Sequence, residues 1–295
     1  MIETALIATA VVLRILSNPA GNVFQKQLTA KGIHPLFVNF QTYFLLSVVC
    51  LIIAAFINFP ALPLQFWIFS VLVGITGALG NGFLVKAIND GELSVLGPVN
   101  SYKSIVGIIG GIILLGEIPS LWGIAGIALI IYGSYFVLDT IEERFSLALL
   151  KRRDIQYRLV AMILTAIEAV FLKKVILTSS ATIAFMSWCC SGALFSFVLL
   201  FVYRLRIKSE AKKTGIADIG KFAMLIACIA TMQFTTNYTF EHMAVGYALS
   251  LFQLSAIVSV FLGYRFFNER DIRKKFIGSV IMIIGSVVII FLKNN

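Results

Sequence analysis

The stretch GIILLGE at residues 111–117 is answered by GYRFFNE at residues 263–269, and that pairing decides how the chain is organised. Gly111 and Gly263, and likewise Glu117 and Glu269, stand 152 residues apart. At the same offset Gly126 meets Gly278, Gly133 meets Gly285 and Ser134 meets Ser286. Chance supplies one such match; a run of them at one offset marks an internal duplication. A weaker echo joins Val23-Phe24-Gln25-Lys26 to Val170-Phe171-Leu172-Lys173. Each half thus ends in a long apolar segment, a short connection carrying one Glu, and an apolar segment punctuated by glycine.

The apolar segments are long enough to be membrane spans. Of 295 residues, 59% are hydrophobic and 13% charged, and the mean hydropathy is +0.96. A soluble domain is nearer half apolar and a quarter charged. The first half reads as spans from Thr4 to Leu28, Pro35 to Ile57, Leu64 to Val85, Leu93 to Leu115 and Leu121 to Leu138. The second reads as Leu159 to Leu177, Thr182 to Tyr203, Phe222 to Phe240, Val245 to Phe267 and Phe276 to Leu292. These runs exceed a barrel strand and lack its alternation, so the fold class is an all-α polytopic membrane protein of about ten transmembrane helices. Residues 1–140 form the first five-helix repeat, 141–156 a charged linker and 157–295 the second. Five is odd, so successive halves enter the bilayer from opposite sides and the repeats are inverted, a common construction among secondary transporters.

The composition also excludes. The spans leave no room for a soluble catalytic domain, and the two longest polar stretches, Asp139 to Arg158 and Arg204 to Lys221, read as inter-helix loops. The net charge of +10 reflects basic residues gathered in short loops rather than a nucleic-acid surface. Cys50, Cys189, Cys190 and Cys228 lie in apolar runs without metal-ligand spacing, and His34 and His242 are isolated. No HExxH, GxSxG or Walker-type motif occurs. The expectation is therefore no enzyme, no cofactor and no metal. The start, Met1 to Ala10, lacks a basic region and reads as a retained first helix.

Leu115-Gly116-Glu117, its partner Asn268-Glu269, and Gly97-Pro98 within the fourth span give the chain a specific likeness. Two five-helix repeats with these residues so placed resemble the drug/metabolite transporter superfamily, in particular its EamA-type members. In the ninth span Ser250 stands where the matching proline would fall. The resemblance implies a ten-helix alternating-access carrier with a central cavity lined by helices 1, 3, 4, 6, 8 and 9.

Ionisable residues deep in a span are costly and mark functional sites by default. Three qualify: Arg14 in the first span, Lys103 in the fourth and Glu168 in the sixth. Arg14, Asn18 and Asn22 share one face of the first helix, where Pro19 and Gly21 are expected to open the helix onto a cavity. Asn100 neighbours Lys103, and Thr165 neighbours Glu168, at i, i+3; Gln233, Asn237 and Glu241 follow one face of the eighth span. Asn81 and Gln253 add single amides. The expected substrate-binding set is Arg14, Asn18, Asn22, Asn81, Asn100, Lys103, Asn237 and Gln253, with Glu168 coupling a proton or pairing a substrate ammonium. Gly74, Gly77 and Gly80, and Gly107 with Gly111, read as helix-packing positions. Glu117 and Glu269 read as caps of loop or helix amides.

These readings point to a carrier in the cell membrane for a small anionic or zwitterionic metabolite, an amino acid first, with a lipid or lipid-linked flippase as the alternative. The partners are the solute and the bilayer. A structural Lys103–Glu168 pair is the competing reading of those two residues. Odd-numbered links carry most basic residues, among them Lys31, Arg152, Arg153, Lys212, Lys213 and Arg270, whereas even-numbered links and termini carry only Lys173, Lys174 and Lys293. The positive-inside rule then puts both termini outside the cytosol, although relatives are usually drawn with both inside.

Overall fold

The computed structural model describes residues 2–57, 60–103, 121–138, 151–243 and 245–291. Its helices in chain order are α1 (Ile2–Thr29), α2 (Pro35–Ala54), α3 (Leu64–Asp90), α4 (Leu93–Val99), α5 (Leu121–Leu138), α6 (Arg153–Leu177), α7 (Ala181–Val202), α8 (Ile207–Lys212), α9 (Ile216–His242), α10 (Val245–Phe252), α11 (Ser255–Phe267) and α12 (Ile272–Phe291). Five are long and apolar enough to cross a bilayer: α1 from Glu3, α2, α3, α7, and α9 from Asp218. Exposed on α2, α3 and α7 are the large apolar side chains Leu51, Ile52, Trp67, Phe201 and Val202, which lipid would cover. The helical fold and its two inverted repeats are as the sequence led us to expect.

The packing obeys the duplication. Helix α1 packs on α9, and its repeat counterpart α6 packs on α3. The pairs α2–α7 and α5–α12 each join an element to its own counterpart, and α4 packs on α11, the second part of the span that repeats its own. This is what a two-fold exchange of halves produces. Glycine makes the α5–α12 crossing possible: a Cβ on Gly133 would lie 2.7 Å from the carbonyl oxygen of Gly278, and one on Gly285 would lie 2.7 Å from that of Gly126. Because Gly126 repeats as Gly278 and Gly133 as Gly285, the second contact is the image of the first. The duplicated glycines seen in sequence thus meet one another across the axis, at a backbone separation only small residues allow.

Three features differ from the sequence reading. Helix α1 runs unbroken through Pro19, and Gly21 does not open it; instead Gly21 receives Ile229 of α9, 3.1 Å from where a Cβ would stand. The ninth span is broken at Gln253–Leu254 into α10 and α11 without proline or glycine there. Its repeat counterpart is the 3₁₀ turn Asn100–Tyr102, which follows Pro98 in α4. The polar runs are also partly helical: α8 lies within one, and α6 begins at Arg153, ahead of the sixth span expected from Leu159. Gly107, Gly111 and Glu117 lie outside the described residues.

Links 30–34, 91–92, 203–215 and 268–271 gather at one end of the bundle, the basic end. Here Glu269 accepts hydrogen bonds from the amides of Leu93 and Ser94, both at 2.8 Å, and from Lys26 Nζ at 3.0 Å. Lys26 also donates to the Gly91 carbonyl at 2.8 Å. A carboxylate at the α4 N-terminus satisfies donors that the helix cannot use itself. Burial opposes its charge, but the Lys26 ammonium and the amides outweigh burial and hold the Glu269 carboxyl below the ordinary range. The expected capping role is what Glu269 performs, though on α4 of the other half rather than on the next helix. Lys275 pairs with Glu92, and Lys31 with Asp218.

Candidate functional site

The broken elements face each other across the axis, where Asn100 Nδ2 donates to Gln253 Oε1 at 3.3 Å. Interrupted helices free backbone and side-chain polar groups at membrane depth, which is tolerated where they line a cavity. Such a cavity lies beside them, with about 740 Å³ of space, part of it open. Its walls come from α1 (Arg14, Asn18, Asn22), α3 (Asn81, Leu84), the α4 segment (Asn100, Lys103), α6 (Arg158, Thr165, Glu168, Ala169, Leu172), α9 (Met232, Gln233, Thr236, Phe240) and α10 (Leu249, Phe252). These are spans 1, 3, 4, 6, 8 and 9, the set that the sequence resemblance implied.

Each ionisable group is held differently. Arg14 donates through Nε to Thr236 Oγ1 at 2.8 Å, and its guanidinium carbon stands 4.8 Å from the Phe252 ring centroid. Its Nη1 is buried with no hydrogen-bond partner among the described residues. Arg158 donates through Nε to the Leu96 carbonyl at 2.8 Å and is otherwise without a hydrogen bond or ion pair among the described residues. Lys103 makes neither hydrogen bond nor ion pair among the described residues, and it lies within electrostatic reach of Arg158, Arg14 and Glu168. Glu168 accepts from Trp188 Nε1 at 2.7 Å through Oε1 alone.

The Glu168 pocket is built by small residues. A Cβ on Gly77 would stand 2.6 Å from Glu168 Oε1, and one on Gly80 would stand 2.8 Å from Thr165 Cγ2. The glycine face of α3 is therefore the groove that admits α6 and, with it, the carboxylate. Tyr43 packs beside it, its ring centroid 4.5 Å from that of Trp188, and accepts from Asn81 Nδ2 at 2.6 Å. Gly192 leaves room for the Tyr43 ring.

Seven of the nine expected site residues thus line one cavity: Arg14, Asn18, Asn22, Asn81, Asn100, Lys103 and Glu168. Two stand one layer behind. Asn237 is fully buried, accepts from Gln233 Nε2 at 2.9 Å and donates to the Ala181 carbonyl at 3.2 Å. Gln253 is spent on Asn100. Glu241 is exposed and accepts from the Ala181 amide, so it caps α7. Arg158 escaped the sequence reading because it closes a polar run that looked like loop. Its signal was available: it precedes Thr165 by seven residues, two helical turns along the same face. Among the described residues no group of His, Cys, Asp and Glu could hold a metal ion.

The EamA-like transporter family profile matches this chain twice, over residues 7–139 and 155–291. No curated protein matches it. A solved structure described only as "Crystal structure of protein" superposes with a TM-score of 0.64 at 12% identity, covering 97% of this chain and 98% of that one. At that identity the superposition speaks to the fold alone.

Proposed function

The chain belongs to the EamA-like transporter family and so to the membrane transporters of small molecules, and from that premise we propose that it is a secondary carrier for a small anionic or zwitterionic organic solute. The carrying observation is that Lys103, without a hydrogen bond or ion pair among the described residues, shares one cavity with Arg14 and Glu168 at the interface of the repeats. A buried ammonium in a bilayer-spanning bundle needs an anion or water, and a solute carboxylate or phosphate supplies the anion. Arg14 adds a second cation, while Asn18, Asn22, Asn81 and Asn100 offer neutral hydrogen bonds that orient the solute. Glu168, with one carboxylate oxygen engaged by Trp188, serves as proton-coupling group or as partner of a substrate ammonium. Alternating access follows from rocking of the repeats about the two-fold contacts, since both halves contribute residues to the cavity wall. We place the protein in the cell membrane with both termini outside the cytosol, on the strength of the basic loops.

Uptake in proteoliposomes tests the reading with a solute panel of amino acids and organic anions. Lys103→Ala should abolish uptake and binding while the protein stays folded. Glu168→Gln should lose pH-driven accumulation yet keep solute exchange. Tight binding by Lys103→Ala rejects the site, and normal pH-driven uptake by Glu168→Gln rejects the coupling role.

A further inference from the structure

The cavity holds three cationic side chains, Arg14, Lys103 and Arg158, against one carboxylate, Glu168. With Glu168 ionised the excess is two positive charges, and the described residues offer no further carboxylate in the lining to offset it. An amino-acid zwitterion brings no net charge, so it would leave that excess intact in a low-dielectric bundle. The two arginines also share a mode of attachment. Each is tethered to the protein through Nε, Arg14 to Thr236 Oγ1 and Arg158 to the Leu96 carbonyl, both at 2.8 Å. That holds the guanidinium and leaves the terminal Nη pair without hydrogen bonds among the described residues, Arg14 Nη1 being buried there. A guanidinium held this way presents its donors to a carboxylate or phosphate, which accepts them in pairs.

Resting on the carrier reading above, we propose that the cargo is a compact organic dianion, gripped by the Arg14 and Arg158 guanidiniums with the Lys103 ammonium as the third cation of the cavity. Two negative charges cancel the excess, so the loaded cavity is neutral as a unit. Arg158 is then a specificity-determining residue, separating dianions from monoanions. Asn18, Asn22 and Asn100 remain for hydroxyl or carbonyl groups on the solute. A dicarboxylate and a phosphate monoester both carry the required charge, and the panel distinguishes them.

The test uses the full-length protein in nanodiscs, with binding measured for succinate, glycerol 3-phosphate, succinate monomethyl ester, alanine and glycerol. At least one of the two dianions should bind about tenfold or more tightly than the monoester or alanine, a difference of about 1.4 kcal/mol. Which dianion binds identifies the source of charge. Arg158→Gln should erase the preference for the dianion over its monoester, and Arg158→Lys should restore part of it. The wild-type panel stands even where a variant fails to fold. Alanine or the monoester binding as tightly as either dianion overturns the proposal while leaving the carrier reading intact, as does discrimination unchanged in folded Arg158→Gln. Binding of none of these solutes in nanodiscs and uptake of none in proteoliposomes, with lipid scrambled across the vesicle bilayer instead, overturns the carrier reading itself.

Discussion

The basic end and the central cavity both bury charge, and they treat it in opposite ways. At the basic end each buried charge is answered from within the protein. Glu269 takes two helix amides and Lys26; Lys26 takes Glu269 and the Gly91 carbonyl; Lys275 takes Glu92. In the cavity Lys103 has neither hydrogen bond nor ion pair among the described residues, Arg14 keeps a buried nitrogen unpartnered, and Glu168 has one donor. Folding stability favours the first arrangement, since a stranded buried charge costs several kcal/mol. On the proposed carrier reading, the second persists because the missing partner arrives with the cargo.

Breaking the paired region should have the largest effect. Glu269→Ala strands Lys26 and uncaps α4, and should lower stability by about 3–5 kcal/mol in thermal or denaturant unfolding, with solute affinity unchanged in the fraction that remains folded. The sign with pH follows from the depressed carboxyl of Glu269. Its contribution is complete above the unfolded value of about 4.3 and is lost only as pH falls through the lower folded value. The wild-type advantage over Glu269→Ala should therefore be flat down to mildly acidic pH and shrink below it. An advantage already falling between pH 7 and 5 would contradict the assigned partners.

The smallest effect belongs to the exposed rim of the same end. Lys213 pairs with Glu210 at 2.6 Å, but its side chain is 43% exposed. Lys213→Ala should cost about 0–1 kcal/mol, within the scatter of a melting curve. A loss as large as that of Glu269→Ala would mean that the rim, and not the buried Lys26–Glu269 contact, ties the halves together.

Much of this was legible in the sequence for reasons that differ by residue. Arg14, Lys103 and Glu168 stand out because an ionisable group amid twenty apolar neighbours has no cheap explanation. The duplication was legible in Gly126, Gly133, Gly278 and Gly285, whose spacing survives because only glycine lets α5 and α12 backbones touch. Helical periodicity gives the face a residue occupies but not its depth behind that face, so Asn237 looked equivalent to Asn18 until Ala181 was seen to take its amide. The break at Gln253–Leu254 carries no proline or glycine, so no local residue type announced it. Arg158 was hidden because a charged residue at the end of a polar run looks like loop, whereas helix α6 starts five residues earlier.

The contrast between the two regions rests on Lys103 and Glu168 being ligand-facing rather than partners of each other. The most direct measurement is a double-mutant cycle of melting temperature and solute binding over Lys103→Ala, Glu168→Gln and the double mutant. Our account predicts stability effects that simply add, within about 0.5 kcal/mol, together with loss of binding in every variant lacking Lys103. A double mutant that recovers stability lost in both singles, with binding retained in Lys103→Ala, would show a structural ion pair and contradict it.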